Sequence, residues 1–420
     1  MKGQLIKQHR KFKDMTLEEL ADGICSVSYL SKIENNTISA SKEMYRLLGE
    51  KLNIHLENLN EEFDDKIYEK LIDWHKSIQL KNTTLMENLH EECRNLLNFN
   101  QNIELSNLFK IIHSRFQLTT TNEPLSKKIT KELYDVMSQS SNEYRFLYYK
   151  TIGIDYLLQF QYEQAEMNFQ FAEEMMNKLP NQDFELYYHI SLTYSRLLMF
   201  VESNFYAEMA IEGYQKSLNY SKVTDCSMIS AINYNFLGAH RVAERLFLNM
   251  LQGAGQYLGK FEESIVHHNL GYIYICLDKY EQSIEHLQTA LLLKEENNIS
   301  PVSTLYLLAK VYNCKQDKGR SWDFINQGKA KAVEEKDVRY IHKFYILKSV
   351  LEGTTKDDTF VKKLENEILP EFLSLNEFSD YKTYLKFLGD IYYEKRMYKK
   401  CAQLFKEANR YRRFMLEKSP

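Results

Sequence analysis

The chain has 420 residues, of which 44% are apolar and 27% are charged, so it holds enough apolar side chains for a buried core. Glycine and proline together form about 4.5% of the chain, whereas an average protein carries roughly 12%. Collagen-like, loop-rich β-sandwich and disordered classes are therefore excluded. The formal net charge of −4 excludes a chain that binds polyanions over its whole surface.

The six cysteines stand at least 38 residues apart and form no CxxC pair. This spacing is typical neither of a zinc site nor of a disulfide framework, and we expect no metal and no cofactor. No apolar stretch approaches the length of about 18 residues that a membrane span needs. We therefore expect a cytoplasmic protein without a signal peptide and without a membrane contact.

The beginning of the chain has the pattern of two short helices beside a basic segment. Thr16 and Glu19 form a capping box that starts one helix, Gly23 interrupts it, and Ser26 is placed to cap a second helix that reaches Glu34. Two short helices joined by a tight turn predict a helix-turn-helix. The first 13 positions hold five basic residues and no acidic one: Lys2, Lys7, Arg10, Lys11 and Lys13.

The segment from Thr16 to Asn35, which ends in the letters SKIEN, resembles the phage-repressor (Xre/Cro) class of DNA-binding domain. In that class the second helix enters the major groove, and an ion pair matching Arg10 and Glu34 belongs to the scaffold. The resemblance implies base contacts from Ser26, Val27, Ser28 and Lys32. It implies phosphate contacts from Lys7, Lys11, Thr16, Tyr29 and Asn36. The alternative is a small helical bundle whose charges are only solvated.

One pattern of packing residues recurs through the rest of the chain. A first helix carries large, large, small and large residues, and a second helix carries small, large and small ones, as in Gly271 followed by Ser283, Leu287 and Ala290. This is the pattern of tetratricopeptide repeats, in which small residues let two helices approach closely. The predicted small residues of the first helices are Gly153, Ser195, Ala231, Gly271, Ala309, Ser349 and Gly389.

The sequence thus predicts an all-α fold in two parts. Residues 1–63 form the helix-turn-helix domain, and residues 64–420 form a right-handed superhelix of about nine tetratricopeptide-like repeats that serves peptide binding and oligomerisation. The concave groove of such an array is lined by the first helices and holds a peptide or another helix. No HExxH, GxSxG, Walker or CxxC motif is present, so we do not expect an enzyme.

Three asparagines fall at or near groove-facing positions of the predicted first helices: Asn235, Asn269 and Asn313. A carboxamide has both a donor and an acceptor, so it can hold a peptide backbone whatever the side chains of the peptide are. The alternative is that they are ordinary polar surface. Five further side chains share the predicted surface and are expected to set ligand specificity: Arg196, His268, Tyr272, Tyr306 and Lys310.

A helix-turn-helix followed by a helical-repeat array resembles the peptide-pheromone receptors of Gram-positive bacteria, the Rap, Rgg, NprR, PlcR and PrgX family, and most of all its NprR- and PlcR-like members. The resemblance implies a quorum-sensing transcription regulator that binds an imported, short linear signalling peptide in its groove. It implies control of binding to a paired double-stranded DNA operator by a homodimer or tetramer. It also implies a second activity, inhibition of a sporulation phosphorelay through its response regulator.

Two other functions stay open at this point. One is a Rap-like scaffold whose main partner is the response regulator, with the DNA-binding domain secondary. The other is a toxin–antitoxin or phage regulator that responds to a protein. A short secreted propeptide encoded immediately downstream would favour the peptide receptor over both.

Overall fold

The structure is a computed structural model that describes residues 2–35, 37–54, 63–98, 100, 102–137, 140–253 and 258–410. The regular elements of these residues are all helices. In chain order they are α1 (Lys2–Phe12), α2 (Leu17–Ala21), α3 (Val27–Glu34), α4 (Lys42–Leu52), α5 (Asp65–Gln79), α6 (Thr83–Leu97), α7 (Ile103–Thr121), α8 (Lys127–Met137), α9 (Asn142–Leu158), α10 (Tyr162–Met176), α11 (Phe184–Arg196), α12 (Phe200–Lys216), α13 (Tyr220–Phe236), α14 (His240–Gln252), α15 (Lys260–Cys276), α16 (Tyr280–Glu296), α17 (Val302–Cys314), α18 (Lys318–Glu334), α19 (Val338–Glu352), α20 (Asp358–Lys363), a π-helical turn (Leu364–Ile368), α21 (Leu369–Ser374), α22 (Phe378–Glu394) and α23 (Tyr398–Arg410).

The predicted class, an all-α chain with a helix-turn-helix followed by helical repeats, is confirmed. In the described part of the chain, the helices from α5 onward follow one another as nine successive pairs, the eighth of which joins α19 to the interrupted helix from α20 to α21. None of the described helices is both long enough and apolar enough to cross a lipid bilayer.

The chain divides into two compact units. Unit 1 consists of residues 1–159 and 168–182, and unit 2 consists of residues 160–167 and 183–420. Unit 1 therefore holds α1 to α9, unit 2 holds α11 to α23, and α10 contributes to both. The domain boundary predicted after residue 63 adjoins residues 55–62, which lie outside the described residues, and it stays a prediction.

The helix-turn-helix in unit 1 is built from the predicted local signals. The Thr16 hydroxyl accepts from the backbone N–H of Glu19 at 3.1 Å, and the Glu19 carboxylate accepts from the Thr16 N–H at 2.6 Å. Gly23 has φ +74° in the turn, a backbone conformation that side chains with a Cβ disfavour. Ser26 caps α3. The core of this domain is formed by Leu5, Ile6, Leu20, Ala21, Leu30, Ile33, Tyr45, Leu48 and Leu52.

Helix α1 also contacts helices that follow the helix-turn-helix within unit 1. The Lys128 ammonium of α8 lies 3.0 Å from an Asp14 carboxylate oxygen, just past the end of α1. Lys110 of α7 donates to the Gln8 side chain at 3.4 Å. Burial, with Lys110 and Lys13 nearby, lowers the pKa of His9 to about 4. These contacts join the helix-turn-helix to the first helical repeats.

A recurring hydrogen bond fixes the register of the helix pairs in unit 2. The Ser283 hydroxyl donates to the Gly271 carbonyl at 2.8 Å, and the Ser321 hydroxyl donates to the Ala309 carbonyl at 2.9 Å. Each bond joins a small residue of the first helix to the residue 12 positions later on the second. The two helices therefore meet closely at these positions, as the repeat pattern predicts.

The predicted register is wrong in the pair of α11 and α12. The small residue of α11 is Ser191 rather than Ser195, because Ser191 is fully buried and its carbonyl accepts from the Ser203 hydroxyl at 2.7 Å, again 12 residues later. Ser195 is half-buried, and its hydroxyl donates to the Asn233 side chain at 2.7 Å. Helices α9, α13, α15, α17 and α22 each end five residues after their small residue. Since α11 ends at Arg196, the same rule selects Ser191.

We predict that Gly271→Leu destabilises the chain. A Cβ at Gly271 would lie 2.4 Å from Leu287 Cγ and 3.3 Å from the Ser283 carbonyl oxygen, so a larger side chain must push α15 and α16 apart. Overpacking of this kind costs about 1–3 kcal/mol, and the melting temperature should fall. The control is Gly319→Leu on α18, where a Cβ meets nothing closer than 3.7 Å and the melting temperature should not fall. An equal melting temperature for both variants would contradict the register.

Candidate functional site

A buried ion pair holds the helix-turn-helix together. The Arg10 guanidinium forms two bonds to the Glu34 carboxylate, Nε to Oε1 at 2.7 Å and Nη2 to Oε2 at 2.8 Å. Its third nitrogen donates to the Met15 carbonyl at 2.9 Å. Hydrogen bonding to Glu34 raises the pKa of Arg10. The pair ties α1 to the last turn of α3, which fits the scaffold role that we expect for it.

Helix α3 separates a buried face from an exposed one. Leu30, Ile33 and Glu34 are buried against the rest of the helix-turn-helix, and Tyr29 is half-buried against the same core. The residues expected to contact bases lie on the other face, where all four are exposed: Ser26, Val27, Ser28 and Lys32. The Ser26 hydroxyl accepts from the Tyr29 N–H at 3.2 Å, so it is already engaged as the helix cap.

The described residues expected near phosphates lie on α1, at the start of α2 and on α3. Lys7 is half-buried on α1 and donates to the Asn35 side chain, the C-cap of α3, at 3.4 Å. Lys11 and Thr16 are exposed. Asn36 lies outside the described residues. Lys7 thus places a positive charge beside the C-terminal end of α3.

A second candidate site lies in unit 2, where charged and tyrosine side chains of α17, α19 and α22 meet. Arg339 and Lys343 of α19 both bind the buried Asp380 of α22, at 2.5 and 3.1 Å. The Tyr306 and Tyr384 hydroxyls lie 3.3 Å apart. We call this group, completed by Tyr340 and Glu377, the tyrosine–charge cluster.

The cations of this cluster are arranged around aromatic rings as well as around carboxylates. The Lys343 ammonium lies 4.8 Å from the centre of the Tyr306 ring and 4.9 Å from that of Tyr340. Arg339 also donates to the Glu377 carboxylate at 3.1 Å. Burial alone would raise the pKa of Asp380, but Lys343 and Arg339 hold it below its usual range. Asp380 is therefore an anion that neutralises part of the positive charge.

Four of the eight side chains predicted to contact a ligand lie in or beside this cluster. Tyr306 belongs to it, and Asp380 acts electrostatically on Tyr272 of α15. The Lys310 ammonium lies 5.6 Å from the centre of the Tyr272 ring. The His268 ring bonds the Thr304 hydroxyl at 3.0 Å, and burial, with Lys294 and Lys343 nearby, lowers the pKa of His268 to about 3.

Arg196 is the fifth predicted ligand contact that is related to the cluster, and it acts on the cluster electrostatically. It is exposed at the end of α11. Burial raises the pKa of Glu377, and Arg339 and Arg196 oppose that rise. The pKa of Tyr162 responds to Arg196, Glu377 and Arg339 as well. Its ring packs edge-on against Phe378, with the two ring centres 6.4 Å apart. Arg196 therefore adds a further positive charge near Glu377.

The three predicted asparagines have different surroundings. Asn235 is buried, and its side-chain oxygen bonds the His240 ring at 2.7 Å. The Asn269 amide donates to the Ile265 carbonyl of its own helix at 2.8 Å. Asn313 is half-buried near the end of α17. The peptide contacts of all three stay a prediction.

The asparagines also do not form one row of three. Asn235 and Asn313 each lie four residues after the small residue of their helix, whereas Asn269 lies two residues before the small residue of α15. Positions six residues apart on a helix point to different sides. The equivalent place on α15 is taken by the buried Ile275.

Sequence reasoning missed six residues of the cluster: Arg339, Tyr340, Lys343, Glu377, Asp380 and Tyr384. A usable signal exists, because Arg339 and Lys343, like Asp380 and Tyr384, stand four residues apart and share a helix face. It was hidden because the repeat assigned to Ser349 is irregular, with its second helix interrupted by the π-helical turn.

Three comparisons place the chain among known proteins. A family model described as helix-turn-helix matches residues 6–59. Transcriptional activator NprA of Geobacillus stearothermophilus is 28% identical over 94% of this chain and 100% of its own length. A Rap protein complexed with competence and sporulation factor superposes with a TM-score of 0.71 at 18% identity, over 84% of this chain and 99% of that one. NprR in complex with its cognate peptide NprX superposes with a TM-score of 0.65 at 20% identity, over 85% and 98%. The two superpositions show that the helical-repeat fold is shared.

We predict that His268 weakens the fold in acid. Its pKa is about 3 in the folded chain and 6.5 ordinarily, so the unfolded chain binds one more proton between these values. The free energy of unfolding therefore falls as pH drops from 6.5 towards 3. The melting temperature of His268→Gln should fall less between these pH values than that of the parent chain. A His268 imidazole that titrates near its ordinary pKa in an NMR experiment would contradict this prediction.

Proposed function

We propose that this chain is a cytoplasmic transcription regulator of the Rap and NprR type, which binds an operator through α3 and a short signalling peptide in unit 2. It is a regulator and not an enzyme, as its relative NprA is a transcriptional activator. The observation that carries the peptide part of the proposal is the tyrosine–charge cluster.

DNA binding is supported by the exposed face of α3 and by the cations around it. Ser28 and Lys32 are exposed on α3, and Lys7 and Lys11 lie on α1. Arg10 adds no free charge because Glu34 neutralises it. A helix that is held rigidly by its buried face and is flanked by lysines suits the major groove between two phosphate backbones.

Peptide binding is supported by the mixture of groups in the cluster. Its tyrosine hydroxyls donate and accept, its rings offer flat apolar contacts, and its cations attract carboxylates. Arg339 and Lys343 are opposed by Asp380 and Glu377, while Lys310 and Arg196 add positive charge nearby. The excess of positive charge favours a peptide that carries negative groups, including its own C-terminal carboxylate.

We predict that Lys310→Met weakens peptide binding. The substitution keeps most of the apolar stem over the Tyr272 ring and removes only the positive charge. Calorimetry with short synthetic peptides that carry acidic side chains and a free C-terminal carboxylate should show an affinity at least about tenfold lower, equivalent to ~1.4 kcal/mol. The control is Lys315→Met, whose ammonium pairs with Glu281 instead of facing the cluster. Equal affinity for the parent and Lys310→Met would remove this charge from the site.

We predict that Lys7→Ala weakens DNA binding evenly across sequences. A lysine at a phosphate adds affinity without reading bases, so its loss should lower the slope of log K against log salt by about one. The measurement uses the full chain and duplexes selected by it from a random pool. Lys76→Ala on α5, an exposed lysine outside the helix-turn-helix, serves as the control. A changed sequence preference in Lys7→Ala would place this residue at bases instead.

The oligomeric state and the Rap-like activity towards a response regulator stay predictions. Light scattering with and without peptide measures the first. Titration of a purified response regulator into the full chain, with and without the same peptide, measures the second.

A further inference from the structure

The first turn of α3 exposes an apolar side chain where polar ones would be expected. Val27 is 39% exposed, and it takes no part in the core of the helix-turn-helix. Among the described residues up to 54, the other large apolar side chain that is comparably exposed is Phe12, at the end of α1. Val27 is thus an unburied apolar group in the middle of the surface proposed to face DNA.

Its neighbours leave few other means of reading bases. The Ser26 hydroxyl is engaged by the Tyr29 N–H, and Tyr29 itself is half-buried. Ser28 offers one hydroxyl. A single hydroxyl can form a hydrogen bond with several different bases, so it distinguishes them poorly. The first turn therefore holds no Arg, Asn or Gln that could make a two-bond contact with a guanine or an adenine.

The chemistry of the major groove selects one partner for Val27. The edges of adenine, guanine and cytosine present polar groups there, whereas thymine also presents a methyl group. The two methyl groups of a valine are held in a narrow range of orientations, so they can cover that methyl at little cost in entropy. Lys11 on α1 and Lys32 on α3 are exposed in the same domain, and their positive charge attracts the DNA phosphates.

We propose that Val27 recognises the 5-methyl group of a thymine in each half-site of the operator. The sequence preference of the first turn of α3 then comes mainly from Val27, and the Ser28 hydroxyl makes a smaller contribution to it. This inference rests on the proposed DNA binding and names the base that the proposed surface reads.

The test is a double-mutant cycle between protein and DNA. Duplexes are selected from a random pool by the full chain, and each thymine is replaced in turn by deoxyuridine, which lacks only the methyl group. We expect one thymine of each half-site to respond. Replacing that thymine by deoxyuridine should lower the affinity of the parent chain about fourfold for each methyl group that is lost. Val27→Ala should bind the thymine and deoxyuridine duplexes equally at that position.

Two matched variants separate a contact from a structural effect. Val27→Ile keeps an apolar branched side chain and should retain the preference for thymine over deoxyuridine. Ser28→Ala, one residue along the same exposed turn, should retain it as well. A structural effect of Val27→Ala would lower the affinity for both duplexes by the same factor and would leave their ratio unchanged.

Each outcome decides between the inference and the function on which it rests. Specific binding with no thymine that discriminates against deoxyuridine overturns the role of Val27 and leaves the proposed DNA binding intact. A preference that persists in Val27→Ala also overturns it, because another residue then covers the methyl group. Failure to select any sequence from the pool contradicts the proposed sequence-specific DNA binding and this inference with it.

Discussion

The close approach of two helices at a buried small residue is the constraint on which the structure of unit 2 depends. Gly271, Ala309 and Ser191 each lie where a serine hydroxyl from the second helix donates to their backbone carbonyl, so the two helices approach closely there. Because this contact fixes the rotation of α11, α15 and α17, residues at equivalent places on these helices face the same way. Side chains from α17, α19 and α22 meet in one cluster, although Tyr306 of α17 and Tyr384 of α22 lie 78 residues apart in the chain.

The parts of the fold that depend on neighbouring residues could be predicted from the sequence. The capping box at Thr16 and the turn at Gly23 both appear in the structure. The ion pair between Arg10 and Glu34, which the resemblance to the phage-repressor class implied, is present as well. The small residue of α11 was misplaced because Ser191 and Ser195 are the same residue type one helical turn apart. Only the distance to the end of the helix, or the partner Ser203, distinguishes them.

The candidate sites were less predictable because a contact across several helix pairs leaves no local signal. His268, Tyr272, Tyr306 and Lys310 could be assigned to one predicted surface because they lie on helices with a clear small residue, and their peptide contacts stay a prediction. Asp380 was not predicted, because acidic residues are common at the start of a helix, where they interact favourably with the helix dipole. Its position in the sequence therefore gives no sign of a binding site. Its two cations on α19, and its burial, become visible only when α19 and α22 are side by side.

The tyrosine–charge cluster is already satisfied by its own residues, and this limits how it can respond to a ligand. Asp380 removes the cost of leaving Arg339 and Lys343 partly buried without an anion. A carboxylate of a bound peptide must compete with Asp380 for these cations, so each new ion pair contributes less than one made to a free lysine. A change of state from about 1% to 99% requires a preference of ~5.5 kcal/mol for one state. One exchanged ion pair does not supply this, so a peptide that switches the regulator must also use the uncompensated charges of Lys310 and Arg196 and several backbone contacts along the groove.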